Sequence, residues 1–413
     1  MSFDTSDSLA ALRFPVFRSF MLCRIFLTLA VQIQSVLVGW QIFELTNDPL
    51  ALGLIGLAEV IPNVTVGLFG GHFADVFDRK RITLICLITL LIVTFTMGYY
   101  ANVLVPYQLY LLIFMTGFAR GFMEPAIFGI LTQAVPKQIY LNSSSWASSL
   151  WQIASVIGAG ASGFIFNALG FSQSYFLATI FLVFAFVSIL VINRNSYAHD
   201  MVPSQLKIFS SIKEGLIYVR NQPIILGSMV LDMFAVLFGG AVALLPIFAK
   251  DILGVGAEGL GLLRSAPSVG AILMAFYITR FPPTHNTGKK LFAAIFIFGL
   301  CMLGFSLSTN LYLSLFFLFI SGAADNISVI IRRTITQTFS PESMKGRISS
   351  VSRVFISSSN ELGAFESGVT AKFMGAVGSV LFGGSMTIIV VLSGIKVFPE
   401  LYQMEFKDIK PVD

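Results

Sequence analysis

The chain has 413 residues, of which 56% are apolar and only 11% charged, with a mean hydropathy of +0.84. A water-soluble domain of this length needs far more charge to cover its surface, so a soluble globular class is excluded. The formal charge of +5 would point to nucleic acid only if the basic residues gathered on one soluble face, and they do not.

Apolar stretches long enough to cross a bilayer, about 20 residues each, recur along the whole chain. In the first half, spans are expected at 19–45, 50–75, 81–101, 107–134, 142–168 and 171–192. In the second half they are expected at 222–248, 257–280, 290–309, 311–338, 346–371 and 374–396. At about 30 residues for a span with its loop, the length suits about twelve helices, an all-α membrane protein. Four stretches contain no Asp, Glu, Lys or Arg: 82–119, 155–193, 291–324 and 373–395. Apart from Arg81, Lys290 and Lys396 at their very ends, spans 3, 6, 9 and 12 are therefore uncharged, as expected of outer support helices. Span 5 is uncharged too, but polar at its start through Asn142, Ser143, Ser144, Ser145 and Gln152.

The basic residues indicate topology. With the N-terminus inside, inner segments hold most of the Lys and Arg, including Arg13, Arg79, Lys80, Arg81, Lys207, Lys290 and Lys345. Outer segments hold only Lys250 and Lys372. The positive-inside rule then places both termini in the cytoplasm and makes this a multi-pass protein of the cell membrane. The N-terminal apolar run is a full span rather than a short cleavable core. Cys23, Cys86 and Cys301 fall in predicted spans without paired spacing, so neither a disulfide framework nor a metal site is expected. His72, His199 and His285 lie at or near inner loops and read as solvent or headgroup contacts.

The two halves repeat in one register. Gly56 matches Gly261, Pro62 matches Pro267, Gly117 matches Gly322, and Pro136 matches Pro341. Gly158, Ser162, Gly163 and Gly170 match Gly363, Ser367, Gly368 and Gly375. Each pair is 205 residues apart, as 322 is from 117. Gly and Pro are hard to replace where a backbone bends or helices touch, so their shared register argues for duplication. The organisation expected is an N-terminal six-helix bundle (1–192), a polar cytoplasmic linker (193–221) and a C-terminal six-helix bundle (222–413). Two such halves imply a pseudo-two-fold axis along the membrane normal, with a substrate site near the midplane.

The segment Gly71-His-Phe-Ala-Asp75-Val-Phe-Asp78-Arg79-Lys80-Arg81 lies between spans 2 and 3. It resembles the loop signature of the major facilitator superfamily: a Gly, an Asp four later, then a basic cluster. Val76 stands where an Arg is usual, and Asp78 where a Gly is usual. The resemblance covers essentially the whole chain and implies that Asp75 latches a cytoplasmic gate at the start of span 11, near Gly346 and Arg347. Physically, Gly71 permits close helix approach, and a carboxylate at Asp75 suits a facing helix N-terminus. Otherwise Arg79, Lys80 and Arg81 serve only as topology anchors. Within the superfamily, Asn47-Asp-Pro-Leu-Ala-Leu-Gly53, Arg120-Gly121-Phe-Met-Glu124-Pro-Ala126 and Lys345-Gly346-Arg347-Ile348 resemble exporters of the enterobactin-exporter and macrolide-efflux branch. Gly158-Ala-Gly160-Ala-Ser-Gly163 resembles the Gly-rich antiporter signature but lacks its Pro at position 159. The same residues match a dinucleotide fingerprint falsely, since they lie inside a span with no preceding strand.

A charge at the bilayer centre costs at least about 2.5 kcal/mol, so each one needs a partner or a function. The candidates are Arg24, Glu59, Arg120, Glu124, Asp232, Arg264, Asp325, Arg332, Arg333, Arg353, Glu361 and Glu366. Arg120 and Asp325 occupy repeat-related positions on spans 4 and 10 and are expected to pair, directly or through substrate. Glu59, Glu124 and Asp232 are the proton-carrier candidates. Arg332 and Arg333, near a span end, read as side chains that snorkel to the headgroups. Gln34 and Gln41, seven apart, share a face of span 1, and Gln34 joins the candidate cavity residues with Arg264 and Glu361. Trp40 reads as an interface anchor.

The resemblance implies a secondary active exporter of small amphipathic molecules, of drug or siderophore type, working by alternating access as a monomer. With no Walker motif, a proton gradient rather than a cofactor is the expected drive. The alternatives are an importer or lysolipid flippase on the same fold, or a non-transporting receptor or assembly factor. An enzyme is not expected, because no nucleophile, base and orienter gather at helical spacing.

Overall fold

A computed structural model describes residues 9–192, 208–341 and 344–406; within it, the side chains of 68–72, 74, 75, 137, 141, 208–212, 346, 349, 350, 353, 354 and 357 are not described. The described residues are almost wholly helical. The first half holds α1 (Pro15–Thr46), α2 (Pro49–Val76), α3 (Arg79–Tyr99), α4 (Pro106–Gln133) and α5 (Tyr140–Leu190). Next come α6 (Ile208–Arg220), α7 (Pro223–Phe238) and α8 (Leu245–Ile247), the last flanked by a 3-10 turn and a π-helical turn. The chain ends with α9 (Gly256–Arg280), α10 (Thr287–Leu307), α11 (Leu311–Thr338), α12 (Lys345–Val397) and α13 (Pro399–Gln403).

Among the described residues, ten helical segments are long and apolar enough to cross a membrane. Two of them, α5 and α12, are double-length and break at a glycine: Gly170 at φ 74° and Gly375 at φ 73°. A left-handed φ is cheap only for glycine, so each break is written into the residue type. Counting each broken helix as two recovers the expected twelve spans. The breaks fall on matched positions of the repeat.

Helix starts follow local chemistry. Pro15, Pro49, Pro106, Pro223 and Pro399 each open a helix, where the missing N–H costs nothing. Asp78 caps α3 by accepting from Lys80 N–H at 2.9 Å, and Asn310 caps α11 by accepting from Tyr312 and Leu313 N–H.

The chain divides into two compact units, Met1–Leu45 with Ala58–Leu206 and Thr46–Leu57 with Lys207–Asp413. The division falls inside α2. In the first unit α3 packs against α4 and α5; in the second, α11 packs against α9 and α10, and α12 against α7 and α10. The same matched residues make the same contacts in both units. A Cβ added at Gly117 would meet Pro62 Cγ at 2.9 Å, and one at Gly322 would strike the backbone of Pro267. Likewise Gly158 packs on Gln32, and Gly363 on Leu237. These small residues let backbones approach closely where hydrophobic drive between helices is weak.

Two elements depart from the sequence reading. The polar linker is not simply a loop, since residues 208–220 form α6. Its Val219 is 1% exposed and packs with the core of the second unit, and Tyr218 OH donates to Phe339 O at 3.1 Å. The C-terminal tail also docks: Leu401 is fully buried, Tyr402 packs edge-on to Phe292, and Gly288 N–H donates to Met404 O at 2.9 Å. The reading missed both because short amphipathic pieces owe their order to tertiary packing rather than to length. His199 lies outside the described residues.

Candidate functional site

In the first unit, a polar network runs through the core. Gln34 on α1 is 6% exposed; its Nε2 donates to Thr116 Oγ1 at 3.3 Å and to Met97 Sδ at 3.5 Å, and its Oε1 accepts from Thr94 Oγ1 at 3.2 Å. Gln41, two turns on, donates to Ala101 O at 2.8 Å and accepts from Tyr175 OH at 2.9 Å. The shared face expected from their spacing is therefore real, but it points into the helix packing. Gln34 is corrected from a cavity residue to a buried hydrogen-bond hub, because α1, α3 and α4 all supply it with partners. Trp40 is likewise not an interface anchor: it is 6% exposed, donates to Glu44 at 2.6 Å and packs on Phe166.

The charged candidates sort into pairs between neighbouring helices. Arg120 on α4 binds Glu59 on α2, and Arg24 on α1 lies 3.8 Å from Glu124 on α4. These two pairs differ in depth: the Arg120 and Glu59 side chains are 29% and 20% exposed, whereas Glu124 is 49% exposed. Arg120 pairs directly with Glu59, because α2 passes close enough to Gly117 to bring Glu59 alongside. Proximity comes from the glycine contact, which the sequence carried but did not link to the charge.

In the second unit, Asp232 on α7 and Arg332 on α11 form an ion pair of 2.5 Å, with side chains 6% and 11% exposed. Arg332 Nε also donates to Ser328 Oγ at 3.2 Å. Arg332 is thus corrected from a snorkelling side chain to a buried partner. Asp325, seven residues earlier on α11, shares the Arg332 face and lies within electrostatic reach of both Arg332 and Asp232. Beside the pair is a recess lined by Met229, Met233, Ser352, Phe355, Ile356 and Ser359. Arg333, by contrast, is exposed.

Arg264 on α9 and Glu361 on α12 are partly buried and have contacts of their own. The Glu361 carbonyl lies 2.7 Å from where a Cβ at Gly56 would sit. At the outer ends expected from the sequence, Lys372 reaches Asp48 at 3.3 Å and Lys250 reaches Asn47 at 3.2 Å.

The loop motif does more than anchor. Asp78 caps α3, Arg79 Nη1 donates to Gly129 O on α4 at 3.2 Å, and Lys80 Nζ donates to Leu190 O at 2.8 Å and Ile192 O at 2.5 Å beyond the end of α5. A cation there satisfies carbonyls left open at a helix C-terminus. Arg81 is exposed. Gly71 continues α2, while the side chains of His72, Asp75 and Arg353, and the environment of Gly346, lie outside the described residues. Arg347 binds Glu214 of α6. Among the described residues no group of His, Cys, Asp and Glu could hold a metal ion, and the three cysteines are free and buried.

Comparison with known proteins follows the same lines. A family described as transmembrane secretion effector matches residues 6–413. The chain is 23% identical over 363 residues to the uncharacterized MFS-type transporter YfiS of Bacillus subtilis, covering 85% of each. It is 26% identical over 359 residues to the multidrug resistance protein MdtG of Klebsiella pneumoniae, covering 85% of this chain and 82% of that one. Among solved structures, a bacterial homologue of the lysosomal transporter Spinster superposes with a TM-score of 0.74 at 14% identity, covering 96% of this chain and 98% of the other. The nucleoside transporter NupG superposes at 0.69 with 14% identity, covering 93% and 100%. At such identities these structures speak for the fold.

Proposed function

Because the chain belongs to the transmembrane secretion effector family of the major facilitator superfamily, we propose that it is a proton-coupled exporter of small amphipathic molecules. It works by alternating access as a monomer in the cell membrane, with both termini in the cytoplasm and no cofactor. The observation that carries this reading is the placement of charge. Glu59, Glu124 and Asp232, all in membrane-spanning helices, each hold an arginine from a neighbouring helix.

A buried ion pair is a weak device for stability, since an apolar pair of the same size does as well or better. Its retention in lipid-spanning helices is explained when protonation or a ligand must break it during the cycle. The name multidrug resistance protein, borne by a relative, supports drug-like cargo. Arg79, Lys80 and Arg81 at the start of α3 support inward placement of that end.

The test is proton movement in everted membrane vesicles containing the protein, energised and then challenged with siderophores, macrolides and lipophilic cations. Loss of the pH gradient on adding substrate, absent in Asp232→Asn, is expected. Unchanged gradients with every compound, at verified insertion, would refute the proposal.

A further inference from the structure

The side of α6 that turns away from the core of the second unit is not accounted for by helix packing. Gly215 and Val219 face inward: a Cβ added at Gly215 would meet the Arg347 backbone at 3.1 Å, and Val219 is 1% exposed. Tyr218 and Glu214 tie α6 to its neighbours, through Phe339 O at the end of α11 and Arg347 at the start of α12. The opposite side carries Lys213, Leu216, Ile217 and Arg220, at i, i+3, i+4 and i+7, which places them on one stripe. All four are exposed, Leu216 by 47% and Ile217 by 50%.

The position of α6 restricts what that stripe can meet. With 13 residues, α6 is about 20 Å long and too short to cross a bilayer, which takes about 20 residues. Only Asn221 and Gln222 separate it from Pro223, where a membrane-spanning segment begins. Gln222 is extended, so α6 does not continue that span. A short amphipathic helix beside the end of a span lies at headgroup depth. Glu214, the only acidic residue of α6, is held by Arg347. Among the described residues, Lys213 and Arg220 form no ion pair.

We propose that this stripe is a docking surface for anionic phospholipid. Leu216 and Ile217 enter the boundary between headgroups and acyl chains, and Lys213 and Arg220 hold lipid phosphodiesters on either side of them. The proposal goes beyond export and depends on neither its coupling nor its cargo. Through Glu214 and Tyr218, a lipid-bound α6 fixes the ends of α11 and α12 at the membrane surface.

The two kinds of side chain divide the work. Apolar side chains in the interface give depth without regard to headgroup charge, whereas cations select anionic lipid. The cations stand about 10 Å apart along the helix, with stems long enough to lie along the acyl boundary while their charged ends reach phosphate. A second copy of the chain suits the stripe poorly. A two-fold axis would set Lys213 against Arg220, or each cation against itself, so like charges would meet either way.

The experiment uses full-length protein in nanodiscs of phosphatidylcholine, with a bimane fluorophore attached through Asn221→Cys, an exposed position beside the stripe. Cys23, Cys86 and Cys301 are buried and stay unlabelled. The probes are phosphatidylglycerol and phosphatidylcholine, each spin-labelled high on the acyl chain and added as a minor fraction of the lipid. Both should quench the fluorophore, with phosphatidylglycerol preferred by about 5-fold or more, the factor that one basic residue contributes at an anionic surface. Lys213→Gln and Arg220→Gln should each lower that preference and together abolish it. Leu216→Ser with Ile217→Ser should weaken quenching by both lipids alike. Lys372→Gln, on α12 beside Asp48, should change neither.

Equal quenching by the two lipids would overturn the docking surface. So would a preference that survives the paired charge substitution in protein with the wild-type thermal midpoint. Quenching by aqueous iodide alone would place α6 in water, and shielding from iodide and lipid alike in a dimeric species would give the stripe to a second copy; either result overturns the proposal. None of these outcomes bears on proton movement in vesicles, so the export reading stands or falls separately.

Discussion

Replacing Arg332 with alanine removes the positive member of a buried pair. Asp232 is 6% exposed, and its partner side chain is 11% exposed, so water cannot take over the solvation that the guanidinium supplied. Breaking such a pair from one side costs about 3–5 kcal/mol, because the other charge is left buried without compensation. Ser328 Oγ loses its partner as well. For a unit of roughly 200 residues, each kcal/mol moves the midpoint by about 2–4 °C, so a fall of ~10 °C is expected.

Thermal unfolding in detergent can be followed with a thiol-reactive fluorophore, since Cys23, Cys86 and Cys301 are free and buried until the helices separate. The triple variant Asp232→Asn, Asp325→Asn and Arg332→Leu removes the pair and the second carboxylate that Arg332 faces, and should recover most of the loss. A midpoint for Arg332→Ala within 2 °C or so of that triple variant would refute the reasoning, since an uncompensated buried charge is its whole basis.

Other substitutions follow from the same geometry. Glu214→Gln breaks a pair whose side chains are 41% and 51% exposed, so its midpoint should fall by the equivalent of less than about 1 kcal/mol in the same assay. Gly322→Ala sets a methyl group against the Pro267 backbone and must push α9 and α11 apart, at about 1–3 kcal/mol, whereas Gly67→Ala, with open space around it, should be nearly silent in thermal unfolding. Tyr175→Phe leaves Gln41 Oε1 buried without its donor, and a loss of about 1–3 kcal/mol should appear on thermal unfolding.

Span positions and the matched register of glycines and prolines were legible before any coordinates. They depend on composition over about twenty residues, or on residue types with special backbone freedom, and both survive without knowledge of neighbours. Gly170 and Gly375 show this well: their match in sequence became a matched pair of broken helices. The intramembrane charges were legible as a set, because any charge in such a span is exceptional.

Their partners were not legible. Arg120 pairs with Glu59, 61 residues away, because Gly117 lets α2 approach α4, and Arg332 pairs with Asp232, 100 residues away, where α7 packs on α11. Gln34 and Trp40 were polar or amphipathic by type, and only packing decided that both face inward. The amphipathic α6 and the docked α13 are too short to announce themselves by hydropathy, so their order exists only against α7, α10 and α12. A sequence fixes which side chains the bilayer will not leave alone; which of them meet is a property of helix contacts, set by the small residues that allow backbones to approach.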